Sequence, residues 1–175
     1  MSWQFSSYDI KLFNANCYLA AGGDDSIATV AKPFREHFNE MTMPYLMACC
    51  GMKYTTETKG AAEFEGRTLD SVEFLKRGFV YDRSLGKWIA PLRKTAIAEM
   101  MNWTKKGMEG DQIAVDNILN ALREISLHEK PMFDQWRFDL LAIKQKWYPD
   151  IEPHGTIPST WERARAETLQ LDYHY

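Results

Sequence analysis

Cysteine is scarce, three in 175 residues with two adjacent as Cys49-Cys50, and this gives neither a disulfide framework nor the spacing of a zinc site. A reducing compartment is the expectation. No apolar run nears the roughly 18 residues that cross a bilayer. The start, Met1-Ser2-Trp3-Gln4-Phe5, has no basic segment leading into an apolar one, so the chain is expected to be soluble and unsecreted. Charge excess is missing too: 21 basic and 24 acidic residues give −3, so any nucleic-acid surface must be local. Repeats and low-complexity tracts are absent. Among the four histidines, His37, His154 and His174 form no constellation, and His128 at a predicted helix end suits packing better than ligation. What is abundant is apolar, 45% of residues including six tryptophans, enough for one substantial core or for one lobe and part of another.

The most informative stretch runs from Cys17 to Val30: an apolar run, Gly22-Gly23-Asp24-Asp25, and a second apolar run. A glycine-aspartate pair between strand-like segments predicts a β-hairpin, since glycine takes positive φ without steric cost. It puts two carboxylates at the tip. Adjacent carboxylates repel unless a cation lies between them, and a few hard oxygen ligands suit Mg²⁺. A solvated turn is the plain alternative.

Further along, Phe34, Phe38 and Met41 after Pro33 predict a helix, and Thr42 and Pro44 open a second that runs to Cys50 and closes at Gly51. Residues 1–12 are weakly patterned, with Trp3, Phe5 and Tyr8 expected to pack on a neighbouring surface. Lys53-Tyr54-Thr55 reads as a short strand, and Lys59 stands at the exit of the polar turn after it, where an ordinary exposed lysine is the simplest reading. A short extended piece is expected near Glu63-Phe64. Two β-prone runs around Lys76-Arg77-Gly78 predict a second hairpin with a basic tip. From there the period becomes helical. A helix opening at Ala90-Pro91-Leu92 carries Ile97, Met100, Met101 and Trp103 and ends at Gly107 and Gly110. Asp111 caps a second with Ile118, Leu122 and Ile125 on one face. A third opens near Pro131 with Phe133, Trp136, Leu140, Ile143 and Trp147 along a seam. A last helix is expected from Pro158 to Leu169. Strands followed by helices indicate an α+β fold. Lys76, Arg77, Arg83, Lys87, Arg93 and Lys94 crowd the junction, with Asp82 among them. Beside Phe74, Phe79 and Trp88 they could follow a nucleic-acid backbone, or simply solubilise a hairpin.

In this order, Gly23-Asp24-Asp25 on a hairpin, Tyr54-Thr55-Thr56-Glu57-Thr58-Lys59 after a helix, and Phe74-Leu75-Lys76-Arg77 on a second hairpin resemble the RNA-dependent RNA polymerases of picorna-like positive-strand RNA viruses. These segments are similar to that family's palm motifs C, D and E. Trp88-Ile89-Ala90-Pro91-Leu92, Asn102-Trp103, Asn117, Glu124 and His128 are similar to its helical thumb. The resemblance covers about residues 15 to 135. It implies the C-terminal half of a palm over 1–91, a thumb over 92–150 and a tail over 151–175 packed on the thumb.

The resemblance also implies roles. Asp24 matches the principal metal ligand and Asp25 a second, less essential one, for Mg²⁺ (or Mn²⁺). Lys59 matches a lysine proposed as general acid for the leaving pyrophosphate. Phe74, Leu75, Lys76 and Arg77 match the primer grip, and Arg83, Lys87, Arg93 and Lys94 are candidate contacts to the RNA backbone. The implied partners are RNA template and primer, nucleoside triphosphates and the remainder of the polymerase, in the cytoplasm of a host cell. The chemistry would be nucleotidyl transfer with two divalent ions about 3.5–4 Å apart. Two departures stand out. Gly22 occupies a position where many family members have tyrosine. Moreover, no motif A aspartate pair, motif B or basic fingers motif precedes the hairpin, and Asp9 lies too near it to serve. The expectation is a fragment inactive alone. A non-catalytic RNA-binding or protein-interaction module derived from a thumb, and a reverse transcriptase fragment, are the alternatives.

Overall fold

A computed structural model describes residues 10–56, 59, 66–103 and 109–170. Trp3, Phe5, Tyr8, Asp9, the piece at Glu63-Phe64, Gly107 and His174 lie outside the described residues. Short antiparallel strand pairs precede a run of helices, so the fold is α+β as expected. Two units are distinguished, residues 1–75 and residues 76–175.

In the first unit, helix α1 (Ile10–Asn16) leads directly into β1 (Cys17–Gly22), which pairs antiparallel with β2 (Asp25–Val30) in a register from Cys17↔Val30 to Gly22↔Asp25. The predicted hairpin is therefore present. The helix expected through Phe34, Phe38 and Met41 is not: a single 3₁₀ turn (Lys32–Phe34) gives way to further turns. Asn39 is the reason. Its side-chain oxygen accepts from the N–H groups of Met41 and Thr42 at 2.8 and 2.9 Å, and its amide donates to the Arg35 carbonyl at 2.6 Å, offering the backbone an alternative to helical bonds. Phe38 instead packs edge-on against Phe13, centroids 5.7 Å apart.

Helix α2 (Met43–Cys49) has Pro44 in its first turn, where no N–H is needed. Thr42 precedes it without capping through its side chain, which is engaged with Asn39 and His37. Gly51, at φ +72, ends the helix as expected: its N–H donates to Ala48, and that of Met52 to Met47, which is a Schellman closure. Lys53-Tyr54-Thr55 does not form the expected strand. Arg67 and Glu40 form a half-buried ion pair at 3.0 Å. A 3₁₀ turn (Leu69–Ser71) and strand β3 (Glu73–Phe74), beside β2, complete the unit. Among those of its residues whose burial is described, only Thr56 is buried.

The turn between β3 and β4 (Arg77–Gly78) is Leu75-Lys76, both at positive φ, rather than being centred on Lys76-Arg77-Gly78. Strands β5 (Val80–Asp82) and β6 (Lys87–Ile89) form a hairpin that pairs Tyr81 with Trp88. Residues 90–92 do not begin a helix. Leu92 bridges Arg77, the Pro91 carbonyl accepts from Gly78, and the Arg93 N–H donates to Lys76 at 2.9 Å. With these groups engaged, helix α3 (Lys94–Met100) starts later and ends before the exposed Trp103. Asn117 caps that end, its side-chain amide donating to the carbonyls of Met100 and Trp103.

Helix α4 (Gly110–Ile125) buries Ile118, Leu122 and Ile125 as predicted, whereas Asp111 sits inside its first turn with Glu109 at the cap position. There its carboxylate still faces the positive end of the helix dipole. Helix α5 (Lys130–Trp147) buries Phe133 and Leu140 in the same core as Ile97. The seam does not continue to Ile143 and Trp147, which are exposed, and Lys144 is buried in their place. At about 100° per residue, Lys144 falls nearly in line with Phe133 and Leu140, while Ile143 lies about 80° from Phe133. Lys144 is paired with Glu152 at 2.8 Å.

The segment after α5 is tied down by Gln112 to the Glu152 carbonyl, His154 to Asp116 and Arg137 to the Pro158 carbonyl. Helix α6 (Trp161–Leu169) is capped by Thr160, whose hydroxyl accepts from the Arg163 N–H. Among the described residues no helix is long and apolar enough to cross a membrane.

Candidate active site

Gly23 and Asp24 are the two loop residues of the β1–β2 hairpin, and of the two only Gly23 has positive φ, at +71. That is the pattern of a II′ turn, whose twist matches antiparallel strands. The turn holds Asp24 at the tip and Asp25 as the first residue of β2, both exposed. Two carboxylates on consecutive residues are thus offered from one turn. They are hard oxygen donors of the kind Mg²⁺ takes. Among the described residues no group of three or more His, Cys, Asp or Glu side chains is gathered to hold a metal. The donor set fits a divalent ion in chemistry, for which Asp24 and Asp25 would be two ligands.

Gly22, next to this turn, lies directly under Leu75: a Cβ placed on Gly22 would stand 3.0 and 3.1 Å from the two Leu75 methyls. Phe74 is half-buried and Leu75 exposed. Lys59 is exposed at φ +57, its N–H donating to the Thr56 carbonyl at 2.9 Å.

In the second unit the basic residues differ from one another. Arg77 is half-buried, with one guanidinium nitrogen donating to Glu124 Oε1 at 2.6 Å and the other to Glu124 Oε2 and the Ala90 carbonyl, both at 2.9 Å. This is the bidentate fork that guanidinium and carboxylate planes favour. Lys76 meets Glu99 at 3.3 Å in an exposed pair. Arg83, Lys87, Arg93 and Lys94 are exposed. Asp82 is turned inward: Oδ1 accepts from Ser84 N, Ser84 Oγ and Leu85 N, and Oδ2 pairs with Arg165. The Ser84 hydroxyl bond is the largest influence on its carboxyl and outweighs desolvation; with Arg165 and the backbone donors it holds the group down to about 2. Arg165 also donates to the Ser126 carbonyl and lies over the Trp161 ring.

The polar residues Asn117, Glu124 and His128 now have places. Glu124 holds Arg77, Asn117 caps α3, and His128 is hydrogen-bonded through Nε2 to the Leu92 carbonyl at 2.9 Å. Sequence reasoning missed the Asp82–Arg165 pair, since 83 residues separate the partners. The one local signal was Asp82-Arg83-Ser84, an aspartate two residues before a hydroxyl, as in side-chain-closed turns.

Comparison with known proteins gives a consistent result. Residues 4–146 match the family model described as viral RNA-dependent RNA polymerase. The chain is 33% identical over 135 residues to the replicase polyprotein of Drosophila C virus, covering 77% of this chain and 8% of that one. It is 34% identical over 141 residues to the replicase polyprotein of acute bee paralysis virus, covering 79% and 7%. Its fold is similar to that of a solved structure, a sicinivirus 3Dpol RNA-dependent RNA polymerase. That match has a TM-score of 0.63 at 17% identity and covers 89% of this chain and 31% of the other. The chain thus spans under a tenth of those polyproteins and about a third of that polymerase.

Proposed function

The chain belongs to the viral RNA-dependent RNA polymerase family, and on that premise we propose that it forms the C-terminal part of a polymerase that extends RNA from nucleoside triphosphates in the cytoplasm of a host cell. The observation that carries this reading is the Gly23-Asp24 turn, which places Asp24 and Asp25 on consecutive residues at the end of a hairpin, both exposed. Asp24 is the principal ligand for Mg²⁺ (or Mn²⁺) and Asp25 the second. Held by these carboxylates, such an ion would supply Lewis-acid chemistry toward the primer 3′-hydroxyl and the leaving pyrophosphate. The family match favours an RNA-dependent RNA polymerase over a reverse transcriptase.

Residues 1–91 act as the palm half, 92–150 as the thumb and 151–175 as a tail on it. Lys59 supplies a proton to the leaving pyrophosphate from its exposed turn. Phe74, Leu75, Lys76 and Arg77 position the primer, Arg77 in part through its hold on Glu124. Arg83, Lys87, Arg93 and Lys94 follow the RNA backbone. Catalysis requires the upstream polypeptide, because two carboxylates are a partial ligand set and the first unit has almost no buried side chain of its own among its described residues.

Primer extension on a homopolymer template tests the reading. Residues 1–175 alone are expected to give no Mg²⁺-dependent product, and the same residues joined to the upstream polymerase polypeptide to give robust extension. Robust Asp24-dependent synthesis by the isolated chain would overturn the proposed incompleteness, and an inert completed enzyme would overturn the function.

A further inference from the structure

Leu75 and Lys76 form a two-residue turn with φ of +52 and +61, a geometry for which Asn-Gly is the favoured pair. A branched, non-glycine residue with φ in this range is unusual and is retained where its side chain is needed in that place. For Leu75 the place is visible. Its two methyls lie over Gly22, so close that a Cβ there would stand 3.0 and 3.1 Å from them, tighter than ordinary van der Waals contact. Gly22 has no positive φ to explain its glycine; the space under Leu75 does. Gly22 also closes the hairpin, paired with Asp25 across the Gly23-Asp24 turn.

We propose that Leu75 is a positioning residue for nucleotidyl transfer, its side chain seating on the bare Cα of Gly22 to fix the height of the Asp24-Asp25 turn. The inference rests on the polymerase reading above. A glycine at 22 and a left-handed leucine at 75 are then one device: the missing side chain on one turn receives the projecting side chain of the other. In this role, which is separate from its part in positioning the primer, Leu75 acts through the hairpin. Displacement of a catalytic group by about 1 Å can cost on the order of 100-fold in rate, so a Cβ at Gly22 that pushes the turns apart by a fraction of that acts on turnover more than on nucleotide binding.

The test is a mutant cycle in the complete polymerase that carries this segment, with Gly22→Ala, Leu75→Ala, the double variant, Leu75→Met and Asp24→Ala. Single-turnover rate and KM for the nucleotide are measured in primer extension. Gly22→Ala is expected to slow turnover roughly tenfold with KM changed less than about twofold. Leu75→Ala is expected to slow it by less, and the double variant to match Leu75→Ala, because the alanine at 22 has lost its obstacle. Leu75→Met, which fills similar volume, is expected to keep at least about half the rate. Hydrogen exchange at residues 22–25 is expected to quicken in Leu75→Ala and not in Leu75→Met. Full activity of Gly22→Ala, or losses that simply multiply in the double variant, would overturn the proposal. If Leu75→Ala does not fold, Gly22→Ala and Leu75→Met decide by the same criteria. Asp24→Ala separates the two levels: synthesis that survives it refutes Asp24 as the principal metal ligand, whereas synthesis abolished by it alongside a multiplicative cycle refutes the positioning role alone.

Discussion

Arg77 carries more of the second unit's structure than its charge suggests. Its guanidinium is half-buried and forked onto Glu124, with the Ala90 carbonyl as a third acceptor. Glu124→Ala leaves that charge without its partner and is expected to destabilise the unit by about 2 kcal/mol, measured by urea unfolding. A loss below about 0.5 kcal/mol would put the pair among solvent-exposed ion pairs. Asp82 gives a pH prediction. Its folded carboxyl titrates near 2 against 3.8 ordinarily, so the unfolded chain takes up the proton first. The stability it confers is complete above about pH 4 and is lost as pH falls through about 2. Urea midpoints are expected to fall across that window in the wild type and to stay flatter in Asp82→Asn; equal slopes would contradict the assignment. At this scale the legible features were local. Asp24 and Asp25 follow glycine and could be placed on a turn from sequence, but the partners of Arg77 and Asp82 come from 47 and 83 residues away, a separation no periodicity reveals.

Helix α5 shows how a pattern can be right in kind and wrong in extent. Phe133 and Leu140 pack in the core, but the face then turns to Lys144 and away from Ile143 and Trp147. Alternating three- and four-residue steps mark a seam, and only packing decides where along the helix the neighbours end. Phe133→Ala is expected to cost about 3–5 kcal/mol and Ile143→Ala less than about 1, as read from thermal or denaturant unfolding; equal costs would restore the longer seam. Helix ends were legible where glycine supplies them, as at Gly51. They were not legible where a side chain or a paired segment intervenes. Asn39 takes the bonds a helix after Phe34 would need, and residues 90–92 are held by Arg77 and Gly78 before α3 can start.

Across the whole chain, the two units differ in how their described residues are buried. The helical unit has a continuous core from Ile97 to Ala164, whereas the first presents its hairpin with only Thr56 buried. A two-stranded ribbon is marginal by itself in water. The order of turn, lysine and hairpin along the chain was enough to suggest the family, because each motif's residues are contiguous. The most direct measurement of the polymerase reading is Mg²⁺-dependent primer extension by the completed enzyme with Asp24→Ala and Asp25→Ala. Asp24→Ala is expected to lower the rate by roughly 1,000-fold or more and Asp25→Ala by distinctly less, as suits a principal and a secondary ligand. No extension by the completed wild-type enzyme would contradict the polymerase reading, and extension at the wild-type rate by Asp24→Ala would contradict the placing of its metal site on this turn.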